Sequence, residues 1–366
     1  IIRFLLTIAV SSALFACSST SEVPEGDRLY TGLEPIKYTD YESNEHFTAT
    51  QEEIEAALDC PPNGAIFGSS YYRSPFPYSL WIWNAFHESE SPIGKWVTKT
   101  FGNQPVLMSW VNPALRASVA QSQLRNHGYF RGTVNYEEKP YSKHPKAKIA
   151  YHVDCGHLFT IDTVTYSNFP LNADSLIAAS ADEAKIKSGS PFDVVSLDAE
   201  RNRLSNLFRN NGYYYYQPSY ASYRADTVNT PGKVKLDVEL ADNLPEKALK
   251  KWYIGNISIN LRRTFMEELK DSIHYYFFHA YFNGKKPPVR PRVIMSDMKL
   301  RHGQPYDYSK HTESNNRIAS KGMFSSVDFQ FTPRDTTAAC DTLDLLLNCV
   351  FDKPYDFYVE TNYKGK

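Results

Sequence analysis

The sequence predicts an α+β fold, a tandem array of three β-α-α-β-β units, and three observations carry that prediction. The first is a pattern that recurs along the 366 residues. In the middle copy Gly189-Ser190-Pro191-Phe192-Asp193 precedes a helical stretch closed by Gly212-Tyr213-Tyr214, and the run Val234–Leu240 follows. The third copy has Gly303-Gln304-Pro305-Tyr306-Asp307, a helix, Gly322-Met323-Phe324, and Leu343–Cys349. A looser first copy has Gly102-Asn103-Gln104-Pro105, a helix, Gly128-Tyr129-Phe130, and Ile149–Cys155. Self-similarity at long period marks an array of supersecondary units. The second observation is strict alternation in the closing strands: Val234, Leu236, Val238 and Leu240 take one face and Lys235, Asp237 and Glu239 the other, the mark of a half-buried antiparallel strand. The third is the glycine after each second helix, followed at once by an aromatic in two copies and one residue later in the third, where a C-terminal glycine turns the chain.

The chain opens on a targeting segment. Arg3 supplies charge, Phe4 to Val10 form an apolar run too short to span a bilayer, and Leu14-Phe15-Ala16-Cys17 ends it. A small residue before Cys resembles a bacterial lipobox, so Cys17 is expected to be acylated and to become the mature N-terminus. An ordinary secretory signal with a coincidental Cys is the alternative. Ser18 to Ser21 read as a tether, and the first residue is not Met, so a piece of a longer frame is expected.

Unit one, residues 28–156, is expected to begin with a strand from Arg28 to Tyr38 interrupted by Gly32 and Pro35. A helix follows from the capping box Thr50 and Glu53. Residues 60–90, rich in Pro and aromatics, read as an insertion. Asn112-Pro113 opens the second helix in the N-cap and N1 arrangement, and His127-Gly128 closes it. Unit two, 157–245, starts with the strand Phe159–Tyr166, then a helix from Asn172 to Ile186. Its second helix is capped by Asp193 or Ser196, with Val194, Leu197, Arg201, Leu204 and Phe208 at helical spacing. A strand is expected over Tyr213–Gln217. Unit three, 250–352, reads as a strand from Trp252 to Ile259, a long helix from Arg263 to Tyr281, a second helix from Asp307 to Ser320, and strands over 325–331 and 343–349.

The formal net charge of -1 offers no basic field for nucleic acid. Aromatics at 14% suit strands that are apolar on one side and wet on the other. Cys60, Cys155, Cys340 and Cys349 allow three pairings in a compartment that permits disulfides. Cys155 and Cys349 align with Leu240 on the apolar face, so unpaired core thiols are expected there. His152, Cys155 and His157 are the right types for zinc, but the first two project to opposite strand faces. His87, Glu88 and Glu90 lack a His-Glu-x-x-His frame and read as a solvated turn. No phosphate loop, nucleophile elbow or Ser/His/Asp order has supporting context, so neither an enzyme nor a cofactor or metal site is expected.

The order strand–helix–helix–strand–strand, with Gly-aromatic after the second helix, resembles the POTRA domain. Three copies behind a candidate lipid-bearing Cys17 resemble TamL, the lipoprotein variant in the BamA and TamA outer-membrane assembly family. Asp356-Phe357-Tyr358-Val359-Glu360-Thr361-Asn362-Tyr363-Lys364-Gly365 is similar to the first strand of that family's barrel, giving segments 1–17 (signal), 18–27 (tether) and 353–366 (barrel onset) around the three units. The likeness covers about residues 24 to 366. The 60–90 insertion and Met323, where Tyr is expected, depart from it. The resemblance implies a periplasmic arm beneath a transmembrane barrel, anchored in the outer membrane of a Gram-negative bacterium. The implied partners are that barrel, unfolded outer-membrane proteins and a TamB-like inner-membrane protein. Open sheet edges would bind such segments by β-augmentation. The candidate edges are Gly132–Tyr136 with Val134 and Tyr136, Tyr213–Gln217 with Tyr214 and Tyr216, and Ser325–Phe331 with Val327 and Phe329. The competing class is a surface lipoprotein that stacks glycans on the Tyr213–Tyr216 run.

Overall fold

In the computed structural model, which describes residues 19–352, the fold is α+β with three separate sheets. Cys17 and the expected barrel onset at 353–366 lie outside the described residues. The first sheet takes β1 (Leu29–Leu33) and β2 (Lys37–Thr39), both parallel to β4 (Lys146–Asp154), with β3 (Thr133–Pro140) antiparallel on the other side of β4. Between them run the helices α1 (Glu45–Leu58), α2 (Tyr78–Phe86), α3 (Pro92–Phe101), α4 (Met108–Val111) and α5 (Pro113–Asn126). The second sheet orders β5 (Thr160–Ser167), β7 (Lys233–Leu240) and β6 (Ala221–Asp226), with α6 (Leu171–Ala179) and α7 (Val194–Asn210) as the intervening helices. The third runs β11 (Phe324–Pro333), β12 (Thr342–Phe351), β8 (Tyr253–Arg262), β10 (Phe278–Phe282) and β9 (Asp271–His274). Its helices are α8 (Pro291–Asp297) and α9 (Tyr308–Ala319).

One plan serves all three. The last strand of each set is central, flanked by the first strand and the penultimate one. In the first and third sheets the first and last strands are parallel. A parallel pair requires a crossover, and the helices supply it. A hairpin turn suffices for the antiparallel pair that closes each set. The chain divides into two compact units: one holds residues to Thr163 with Ser188–Val195 and Asp226–Lys235, the other the remainder. In the first, Ile54, Leu58, Ala120 and Leu124 of α1 and α5 pack on Ile149, Tyr151 and Val153 of β4. In the second, Ile294 and Ile318 of α8 and α9 pack on Ile257, Ile259, Leu345 and Leu347.

Local chemistry explains most boundaries. Asn112 caps α5 by accepting from Leu115 N at 3.2 Å, with Pro113 at N1. Asp307 caps α9 through Lys310 N at 3.1 Å. The three repeated glycines have positive φ: 86° at Gly128, 102° at Gly212 and 66° at Gly322. Cys155 and Cys349 are fully buried and unpaired, as the repeat alignment requires, and burial pushes both thiols up to about 12.

Several expectations are corrected. Residues 263–281 are not a long helix. Phe278, Ala280 and Phe282 are buried while His279 and Tyr281 are half-buried, a period of two, and the segment pairs as β9 and β10. The helix expected from Thr50 begins earlier. Asn44 is its cap, accepting from Phe47 N at 2.8 Å, and Thr50 lies inside it, donating to the His46 carbonyl at 2.9 Å. The helix expected to reach Ile186 stops at Ala179. No strand forms at Tyr213–Gln217; the second strand is β6, beyond Pro218.

Candidate functional site

The candidate site is the set of sheet edges formed by the penultimate strands β3, β6 and β11. β3 is an edge, paired only with β4 among the described strands, and it carries Val134 and Tyr136 as expected. Val134 points into the core and Tyr136 is exposed. Beyond Tyr136, β3 is charged and ends in proline. Glu138 meets Arg28 at 3.0 Å, and Lys139 meets Glu34 at 3.1 Å. Exposed pairs of this kind add little stability. Charge and proline on an edge do, however, discourage a further strand.

β6 is a six-residue edge held close to its own unit. Tyr223 donates to the Leu197 carbonyl at 2.7 Å, and Arg224 pairs with Glu239 at 2.9 Å. Tyr214 and Tyr216 are not on it. Tyr216 is buried with its ring 4.6 Å from Phe208. Tyr214 packs on Tyr306 at 4.8 Å and Phe331 at 5.3 Å, and Tyr215 on Trp252 at 5.2 Å. The four tyrosines make a packed seam and no exposed platform. Pro218, which follows the run at once, is the sequence signal that argued against a strand.

β11 differs from both. It is ten residues long and paired only with β12 among the described strands, over the register Val327 to Cys349 and Phe329 to Leu347. Val327, Phe329 and Phe331 are half-buried and join the core, while Ser326, Asp328, Gln330 and Thr332 are exposed. His311 of α9 packs on Phe329 at 4.9 Å with tilted rings and on Phe331 edge to face at 5.1 Å, which fixes the strand's inner face. The side chain of His311 also meets Tyr306 Oη at 3.1 Å. Burial, then the Arg209 cation, hold its pKa down at about 4. Asp328 is the single charged residue in β11. Half the backbone groups of an edge strand point outward, so about five residues here present unpaired N–H and C=O groups.

Sequence reading did not join Glu22 to His87 and Glu88. His87 Nε2 lies 3.5 Å from Glu22 and 3.9 Å from Glu88, and His87 Nδ1 lies 3.1 Å from the Trp83 carbonyl. Sequence distance hid the contact. The other proposed metal set, His152, Cys155 and His157, is not brought together as a ligand group among the described residues.

No protein-family model matches the chain, and no curated protein matches it. Solved structures do. POTRA domains 3–5 of BamA from Haemophilus influenzae align at 10% identity and a TM-score of 0.39, over 90% of this chain and 100% of that one. BamA from Haemophilus ducreyi lacking POTRA domains 1–3 aligns at 10% identity and 0.37, over 54% of this chain and 30% of that one. POTRA domains 1–3 of Omp85 from Anabaena align at 12% identity and 0.26, over 90% and 98%. Likenesses this distant carry no weight of their own beside the strand order described above.

Proposed function

We propose that the chain is the periplasmic arm of an outer-membrane assembly or translocation protein of the TamL type, with three units at 28–156, 157–245 and 250–352. In this reading Cys17 carries the lipid anchor, a transmembrane barrel follows residue 352, and a TamB-like protein approaches from the inner membrane. Unfolded outer-membrane segments add as a further strand to the arm, and the barrel inserts them. The arm binds and guides; it catalyses no covalent step. The observation that supports this reading is the β11 edge: ten residues, one charge, an anchored inner face and an outer side that pairs with no other described strand. β3 is the secondary candidate, through Val134 and Tyr136, because its charges weaken the case for addition.

Strand addition draws affinity from backbone hydrogen bonds, each worth about 0.5–1.5 kcal/mol. Proline is therefore scanned through Val327, Asp328 and Phe329, each variant being checked for folding by circular dichroism. Positions whose N–H faces outward should keep the fold and lose binding of unfolded outer-membrane peptides about tenfold, whereas Tyr214→Ala should change it little. Peptide binding that persists in every folded proline variant would remove β11 as the site. Mass spectrometry of the mature N-terminus tests the anchor, and an unmodified end downstream of Cys17 would remove it.

A further inference from the structure

The end of the 60–90 insertion and the residues that follow it fold into something the assembly reading does not use. α2 and α3 pack together as a helical hairpin whose turn spans residues 87–91, and its surface is apolar on the outside. Tyr78, Phe86, Ile93, Trp96 and Phe101 are all exposed, Ile93 at 75% and Trp96 at 60%. In α3 the inward residues are Gly94, which is buried, and Val97 and Thr98, which are half-buried. At 100° per residue, Ile93 and Trp96 lie about 60° apart on the exposed side, and Phe101 ends the helix exposed. Trp96 and Phe101 touch edge to face at 5.8 Å. Lys99 and Lys95 are exposed about 60° and 100° round from Trp96, on the side away from Ile93. Among the described residues no helix is long and apolar enough to cross a membrane, so this face has a different use.

We propose that the α2–α3 hairpin lies on a lipid bilayer surface, with Ile93, Trp96 and Phe101 entering the headgroup boundary and Lys95 and Lys99 reaching anionic headgroups. The side-chain chemistry fits. Tryptophan, tyrosine and phenylalanine favour that boundary, and an amphipathic helix with flanking lysines binds in its plane. The position of the chain start fits as well. Glu22 rests against His87, in the turn of this hairpin, at 3.5 Å. Cys17 is five residues earlier, so a fully extended chain places it within about 18 Å of Glu22. The inference rests on the lipid-anchored reading above: an acyl chain at Cys17 and the apolar face of α3 would then meet one membrane. A single acyl chain holds a protein only marginally, and an interfacial helix beside it supplies a second contact.

The test uses the chain from residue 17 onward carrying Cys17→Ser, so that neither acylation nor the apolar run Phe4 to Val10 contributes. Vesicles of phosphatidylethanolamine and phosphatidylglycerol are titrated against it, with tryptophan emission and co-flotation as readouts. The expected result is a blue shift and flotation, both weaker on pure phosphatidylcholine. Ile93→Ser with Trp96→Ser, at two exposed positions, should weaken vesicle binding about tenfold or more while the far-ultraviolet spectrum stays unchanged. Tyr276→Ser with Phe277→Ser, an equally exposed pair elsewhere, should leave it intact. Equal loss in both double variants, or no binding by the parent, overturns the proposal. So does concentration-dependent self-association that the Ile93 and Trp96 changes abolish in the absence of vesicle binding. Peptide binding at β11 and modification of Cys17 are measured separately, so failure of either leaves the vesicle result to stand or fall alone.

Discussion

Gly128, Gly212 and Gly322 share a left-handed conformation but differ in what surrounds them. A Cβ at Gly128 would lie 2.7 Å from the Phe192 carbonyl oxygen, whereas a Cβ at Gly322 would meet nothing within 4 Å. Gly322→Ala therefore carries the backbone cost alone, about 1–2 kcal/mol. Gly128→Ala adds a clash with backbone that cannot rotate away, for a further cost of about 1–3 kcal/mol. Thermal or denaturant unfolding of the two variants should rank them in that order, and equal loss would show that Phe192 moves freely. Other polar residues are held as firmly. Glu200 is fully buried in α7, and burial alone would raise its pKa. Arg203 at 2.6 Å, the Lys185 amide at 2.8 Å and Tyr166 Oη at 2.7 Å outweigh that and leave it lowered. The glycines were legible in the sequence because left-handed backbone selects that residue. The Glu200 cluster was not, because two of its three partners, Lys185 and Tyr166, are 15 and 34 positions away.

At the level of elements, the sequence spoke clearly wherever local chemistry and burial agree. β7 and β12 alternate cleanly because one face meets helices and the other does not. α5, α7 and α9 carry caps that need only a few neighbouring residues to form. The misreadings came where tertiary packing decides. Thr264 to His274 hold enough helix-favouring residues, Met266-Glu267-Glu268-Leu269-Lys270 among them, to suggest a helix. The free edge of β8 took the segment instead, because β10 can bury Phe278, Ala280 and Phe282 there in parallel register. Local preference was overridden by a ladder that sequence alone does not display. The Tyr213–Gln217 segment fails for the opposite reason. Its β propensity is high, yet each ring has a packing partner that requires a turn, from Phe208 at Tyr213 to Trp252 at Tyr215. Of the candidate edges, Val134 and Tyr136 on β3 and Val327 and Phe329 on β11 lie on true edges, and Tyr214 and Tyr216 do not. The difference between β3 and β11 follows from their charges, which were visible in the sequence once the strands were known.

At the scale of the whole molecule, the two compact units carry separate reporters. Cys155 is buried in the first and Cys349 in the second, each in the central strand of its sheet or just beyond its end. Both thiols are pushed up to about 12 by burial, so each reacts only when its sheet opens. Acid should separate them. His311 lies in the second unit with a folded pKa of about 4, below its ordinary value near 6.5, because burial and Arg209 disfavour its charge. The unfolded chain therefore binds more protons than the folded one between these values. Stability from this group is complete above about pH 6.5 and falls steadily toward pH 4. The carboxylates held low by their partners, Glu200, Asp307 and Asp344, give up their contribution only below about pH 4. Labelling with a dipyridyl disulfide, which reacts in acid, should show Cys349 losing protection between pH 6.5 and 4 while Cys155 keeps it. His311→Gln keeps an acceptor for Tyr306 and removes the titration, so it should flatten the Cys349 response. Simultaneous release of both thiols, or an acid response unchanged in His311→Gln, would show that the two units open together or that another group drives the transition.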